Sequence, residues 1–342
     1  MKPLLIAFLT AWTSAIAVLA ADKTVPARAP AVATNAVSAE EKELNGIMEK
    51  DDATLDEIDQ WIRVNNARVS QGSAEAPEEL NKRIHARLDA IRKNYDDFLH
   101  RHPRNADGHL AYGTFLNDIG DEELAVAEFE AAKKYDPANP AAWNNLANYY
   151  GEHGPTTNAF VYYGKAITLD SNEPVYYRNL ATLVFLFRKD ASEFYGIDET
   201  HVFDKSLALY QKAIQLDPTN FDLATDYADS YYGIKPLRTN DALASWTNAL
   251  KIASSEVERE GVLIHLARVK LVAGRYAEVQ GHLDGVTNII YEKLKSRLQR
   301  NLDAKLHPEL ETNTVATNAV VSTNSIGITN IVAATNSAPS GK

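Results

Sequence analysis

The chain has 342 residues, room for two domains or one long array of repeats, and its 45% hydrophobic and 24% charged residues are those of a soluble folded protein. A formal net charge of −11 argues against nucleic acid as a partner, since phosphate contacts need clustered Lys and Arg. With no Cys in the sequence, disulfides, thiol nucleophiles and lipid attachment at a cysteine are excluded.

Residues 1–21 have the pattern of an export signal. Lys2 precedes an apolar run from Leu4 to Ala20, and Val18 and Ala20 supply small residues at the −3 and −1 sites. Cleavage near Ala20 or Ala21 is expected, giving a periplasmic or secreted protein. Membrane contact is expected only if this N-terminal segment stays uncleaved as an anchor. Residues 22–39 are rich in Ala, Pro and Val without helical period and read as a linker.

Residues 40–76 predict N-terminal capping helices, two of them and both short. Ser38-x-x-Glu41 and Thr54-x-x-Glu57 each have capping-box spacing. Leu44, Ile47 and Met48 form the first stripe, and Leu55, Ile58, Trp61 and Ile62 the second. In this arrangement Glu40, Glu41, Glu43, Asp51 and Asp52 are solvated charges near helix starts. A polar connector over 66–77 leads to a longer helix from Pro77 to about Arg101, which carries a half-repeat over 77–105.

From there a 34-residue spacing holds. His109, Tyr112, Gly113, Leu116, Ala125, Phe129 and Ala132 recur as Trp143, Leu146, Ala147, Tyr150, Ala159, Tyr163 and Ala166. One step further on stand Tyr177, Leu180, Ala181 and Val184. Pro103, Pro137 and Pro218 stop the second helices, and Asn105, Asn139 and Asn220 are placed to cap the helices that follow. The units run 106–139, 140–173, 174–220, 221–259 and 260–293. The unit at 174–220 carries an insertion, and both its helices are expected to run past their neighbours.

This pattern resembles the tetratricopeptide repeat (TPR), whose first helix carries a large residue, Leu, a small residue and Tyr, and whose second carries Ala, an aromatic and Ala before Pro. The resemblance covers about residues 78–290. It implies an all-α, right-handed helical-hairpin solenoid of about five TPR units, with helical caps and disordered ends. The aromatics of the pattern, Trp143 among them, would then be packing residues between stacked helices.

After the array, Ile290, Leu294, Leu298 and Leu302 make an i+4 stripe, and 294–306 reads as a C-terminal capping helix bearing Lys and Arg on its solvated side. Residues 307–342 repeat ThrAsn among Val, Ala and Ile with almost no charge, and read as a disordered tail.

No G-x-S-x-G elbow, P-loop or HExxH occurs, so the chain is not expected to be an enzyme or to carry a cofactor. His109 occupies the large packing position of a repeat, and His100 and His102 lie beside Pro103 at a helix end. The three are therefore read as structural residues and not as the converging ligands a metal site needs. The resemblance instead directs attention to the inner face, lined by the first helix of each hairpin. Mapped by position, Asn144, Asn145, Asn148, Arg178, Asn179, Asp222, Thr225, Asp229 and Arg268 would form a polar groove for a protein or peptide partner. Asp107, Leu110, Thr114, Thr182 and Ile264 fall on the same face. Of the Lys and Asn set with which one TPR subtype clamps C-terminal carboxylates, only Asn145 is matched, so that subtype is rejected. The expected function is therefore a non-catalytic exported scaffold. The alternative is a structural component of a cell-envelope complex, associating through the tail or the aromatic-rich protrusion at 185–205.

Overall fold

The computed structural model describes residues 38–69 and 71–308, so the expected export signal, most of the expected linker and nearly all of the Thr/Asn-rich tail lie outside the described residues. Among the described residues the chain is all-α, with fourteen α-helices, two single 3-10 turns and no strand. It forms two compact units, divided between Leu223 and Ala224.

Unit 1 begins with α1 (Ala39–Val69) and α2 (Pro77–Arg101), followed by the hairpin of α3 (Ala106–Asp118) and α4 (Glu122–Tyr135). The next hairpin is α5 (Pro140–His153) with α6 (Thr156–Leu169), and then α7 (Pro174–Leu186), α8 (Arg188–Tyr195) and α9 (Glu199–Leu216). Within this unit each second helix packs on the next first helix, and α3, α5 and α7 lie side by side. Helix α10 (Phe221–Ser230) crosses the division. Unit 2 holds the rest of it, then α11 (Thr239–Ile252), α12 (Glu256–Val272), α13 (Tyr276–Asp284) and α14 (Glu292–Leu306).

The junctions show why the chain breaks where it does. The side chains of Asn105, Asn139 and Asn220 accept the backbone N–H of Gly108, Ala141 and Leu223 at 2.6, 3.0 and 2.9 Å. Pro140 and Pro174 occupy the start of their helices, where a missing N–H costs nothing. Where Ser171 and Ser254 stand in place of the stopping Pro, Glu173 accepts from Val175 N–H, and Ser255 forms a reciprocal capping box with Glu258.

Three expectations are corrected. The two short capping helices are one 31-residue helix, α1. Nothing between Ile47 and Val69 is Pro or Gly, and Thr54, the supposed second cap, is completely buried in mid-helix. Continuity rotates Leu44, Ile47, Asp51, Thr54 and Ile58 onto one buried stripe, so Asp51 is not a solvated charge. At the insertion, only the second helix is prolonged, to the 18 residues of α9. Helix α7 stops after 13 residues, because Phe187 leaves helical geometry (φ −104°, ψ 52°). Helix α8 then folds back, placing Phe194 and Tyr195 5.1 and 5.6 Å from the Phe160 ring of α6. Finally, Ile290 is 59% exposed and does not belong to the packing stripe of α14, which rests on Leu298 and Leu302.

The core of unit 1 is an aromatic file. Tyr95, Phe98 and Phe115 are fully buried, and Tyr95 stacks on Tyr112 at 5.1 Å. Gly113 marks the closest approach inside the α3–α4 hairpin: a Cβ there would lie 2.6 Å from the Phe129 ring. Gly113→Ala is therefore expected to destabilise the protein by about 1–2 kcal/mol, overpacking outweighing the helix-propensity gain. Denaturant unfolding of the variant checks this, and a stabilised protein would contradict it.

Candidate partner-binding face

Helices α5 and α7 present the polar residues that the repeat register places on the inner face, and the structure joins four of them into a ladder. Asn179 on α7 donates its amide N–H to Asn144 Oδ1 at 3.0 Å and to Asn148 Oδ1 at 3.4 Å. Asn144 in turn donates to Asn145 Oδ1 at 3.3 Å. From α6, the Tyr163 hydroxyl donates to Asn148 Oδ1 at 2.6 Å. The ring of Tyr163 is 1% exposed, and burial raises its hydroxyl pKa, keeping it a neutral donor.

The ladder divides the expected groove residues into two kinds. Asn144 and Asn179, 4% and 9% exposed, are interior links between neighbouring helices. Their amides satisfy one another, as buried polar groups must. Asn145 and Asn148 are half-buried, and each accepts through Oδ1. Those accepted bonds fix which end of each amide faces outward. Neither residue donates its Nδ2 group to anything among the described residues, so two oriented N–H donors stand side by side on α5. Arg178 is half-buried beside them, and Thr182 is buried, bonded to the Tyr210 hydroxyl at 2.8 Å. Leu110 and Ile264, both 5% exposed, are core residues and line no surface. Position alone does not reveal which face residues turn toward the neighbouring helix.

The remaining sequence-predicted residues are considered with their own units. Asp222 on α10 is exposed. In unit 2, Thr225 is half-buried, whereas Asp229 and Arg268 are exposed and belong to an aromatic cluster the repeat pattern does not announce. The Arg268 guanidinium lies 4.1 Å over the Tyr232 ring. The Tyr232 hydroxyl is 3.2 Å from His265 Nδ1, and the His265 ring stacks on Trp246 at 4.0 Å and 17°. Burial, with Arg268 nearby, lowers the His265 pKa to about 4, so the ring is neutral near pH 7. Asp229 approaches Nδ1 to 3.6 Å. His265 stands at the repeat position of Asn145 and Asn179, a lining one, but it was not among the expected groove residues.

The protrusion is mostly packing. Phe203 is buried, Phe185, Phe187 and Tyr195 are half-buried, and Phe194 is 39% exposed. His109 accepts no metal role: its ring bonds Glu128 at 2.6 Å and stacks on Tyr135. No cluster of three or more potential metal ligands occurs among the described residues.

No protein-family model matches the chain, and no curated protein matches it. Solved structures with similar arrangements exist. One is from a functional characterization of Pseudomonas aeruginosa PilF, at 15% identity, 68% of this chain, 90% of that chain and a TM-score of 0.46. Another is the C-terminal part of a TPR repeat-containing protein from Cytophaga hutchinsonii, at 13% identity, 76% and 98% coverage and a TM-score of 0.49. A third is YrrB, described as a TPR protein with an unusual peptide-binding site, at 12% identity, 63% and 97% coverage and a TM-score of 0.44.

Proposed function

We propose that this chain is a non-catalytic, exported TPR scaffold that holds a protein or peptide partner on the α5–α7 face. The observation that carries the reading is the pair of outward N–H donors on Asn145 and Asn148, oriented by bonds the ladder accepts. Donors fixed in this way suit the carbonyl oxygens of an extended peptide, because little side-chain entropy remains to be lost when it binds. Arg178 adds positive charge beside them. Asp222, Thr225, Asp229 and Arg268 extend the proposed set in sequence, with Arg268 held in place by Tyr232.

The test replaces Asn145, Asn148 and Arg178 together by Ala, keeping the buried Asn144 and Asn179. Crosslinking mass spectrometry from native cells then compares partners of the two proteins. Loss of specific partners from the variant is expected, and an unchanged partner set would remove this face from consideration. A second reading, assembly into an envelope complex through the protrusion, is favoured by one observation. An open depression of about 590 Å³ lies at the α7–α8 turn, lined by Leu186, Phe187, Lys189 and Glu199.

A further inference from the structure

The outward face of α14 departs from the acidic character of the chain. Of its fifteen residues, five are Lys or Arg and two are acidic, in a protein of net charge −11. Lys293, Arg297 and Arg300, spaced by four and three residues, form one stripe, and all three are exposed. None makes a hydrogen bond or an ion pair among the described residues, whereas Lys295, turned inward, donates to the Val286 carbonyl at 2.7 Å. The opposite side of the helix buries Leu298 and Leu302 against α12 and α13.

The stripe continues beyond the helix start into apolar residues. Ile289, one turn before Lys293, is 79% exposed, and Ile290 is 59% exposed. Both lie in the 3-10 turn Ile289–Tyr291, which hands directly into α14. The turn is anchored from behind. Glu260 accepts from the backbone N–H of Thr287 and Asn288 at 2.9 and 2.6 Å, and the Tyr291 hydroxyl donates to the Val257 carbonyl at 2.9 Å. With the Tyr291 hydroxyl bonded back to α12, the two isoleucines stand exposed immediately before the helix that carries the cationic stripe.

We infer that this face docks on an anionic lipid surface, with Lys293, Arg297 and Arg300 against headgroups and Ile289 and Ile290 below them. A bilayer interface offers negative charge and, within about 5–10 Å, apolar depth, which matches both halves of the stripe with one partner. An acidic protein would satisfy the cations but would need a separate apolar pocket for the isoleucines. The overall negative charge opposes approach only weakly at physiological salt, where screening over about 8 Å leaves the local stripe to decide. This route to a membrane is independent of the N-terminal segment and of the α5–α7 face. No helix among the described residues is long and apolar enough to cross a membrane, so the contact is peripheral.

Because the sequence holds no Cys, Ile289→Cys gives a single labelling site in the full chain. With an environment-sensitive fluorophore there, phosphatidylglycerol vesicles are expected to shift the emission to the blue, and phosphatidylcholine vesicles are not. Raised salt should reverse the shift. The triple variant Lys293→Gln, Arg297→Gln, Arg300→Gln should weaken binding at least about tenfold, each cation near an anionic surface being worth about fivefold. The same label at Val161→Cys on α6 should not respond. No shift at 289, an equal shift with both lipids, or an undiminished shift in the triple variant would overturn the inference. A shift produced by polyglutamate and not by vesicles would also overturn it, assigning the face to an acidic protein.

Discussion

Trp246→Ala is expected to cost about 3–5 kcal/mol, the range for removing a fully buried large aromatic. The indole is 2% exposed and stacked on His265. Its loss opens a cavity between α11 and α12 and removes the ring on which His265 stacks. Trp143→Ala is expected to cost only about 1–2 kcal/mol, in the usual range for a partly exposed residue. Trp143 is half-buried, edge-on to Tyr162 at 5.2 Å, with its Nε1 donating to the Pro137 carbonyl at 2.9 Å. The two tryptophans occupy different helices of their hairpins, and only the one on the second helix is enclosed on all sides. Two compact units need not unfold together, so hydrogen exchange of the α11 and α12 amides is the appropriate measurement for Trp246→Ala. A cost below about 1 kcal/mol there, or a larger cost at Trp143, would contradict this packing.

Asp51→Asn is expected to stabilise the protein above pH 7 and to change little near pH 4. Asp51 is 7% exposed on α1, and its carboxylate receives one hydrogen bond, from the Tyr95 hydroxyl at 2.9 Å. Burial raises its pKa to about 7 against that single bond, and Asp52 and Asp118 add like charge. The sign follows from linkage. With the folded-state pKa above the unfolded value, the contribution to stability is complete below about pH 4, declines as pH rises, and is lost above about pH 7. Discounted for solvent screening, the difference between wild type and variant should reach about 2–3 kcal/mol at pH 8. Asn can still accept from Tyr95, and its amide can donate to Thr54 Oγ1, which lacks a partner, as does Asp51 Oδ1. Unfolding of both proteins from pH 4 to 8 measures the difference curve, and a flat or inverted curve would contradict the burial of this charge.

These two sites also mark how far the sequence could be read. The hairpin repeat was legible because Pro and Asn at the junctions and small or aromatic residues inside them keep one spacing together. Asn105, Asn139 and Asn220 cap where that spacing puts them. Asp51 was misplaced because Thr54-x-x-Glu57 imitates a helix start, and a local capping signal loses to a buried stripe when no Pro or Gly interrupts the chain. The break at Phe187 had no local signal, since it follows from Phe194 and Tyr195 packing back on Phe160. The polar face was legible as a set of positions, but the split between Asn144 and Asn179 inside and Asn145 and Asn148 outside depends on how closely α5 approaches α7. Ile290 kept the i+4 spacing of the leucines after it, and only the 3-10 turn before α14 takes it out of the packing stripe.

Under the proposed function, the first-helix face of α5 and α7 meets a partner while the second helices face away from it. Photocrosslinking residues placed one at a time at Asn145 and Arg178, and at the exposed Leu124 and Val161 on α4 and α6, test it in the native cell. Discrete adducts with the same partner from positions 145 and 178, and none from 124 and 161, are the predicted result. Adducts from 124 and 161 with none from 145 and 178 would place the partner on the opposite surface and contradict it.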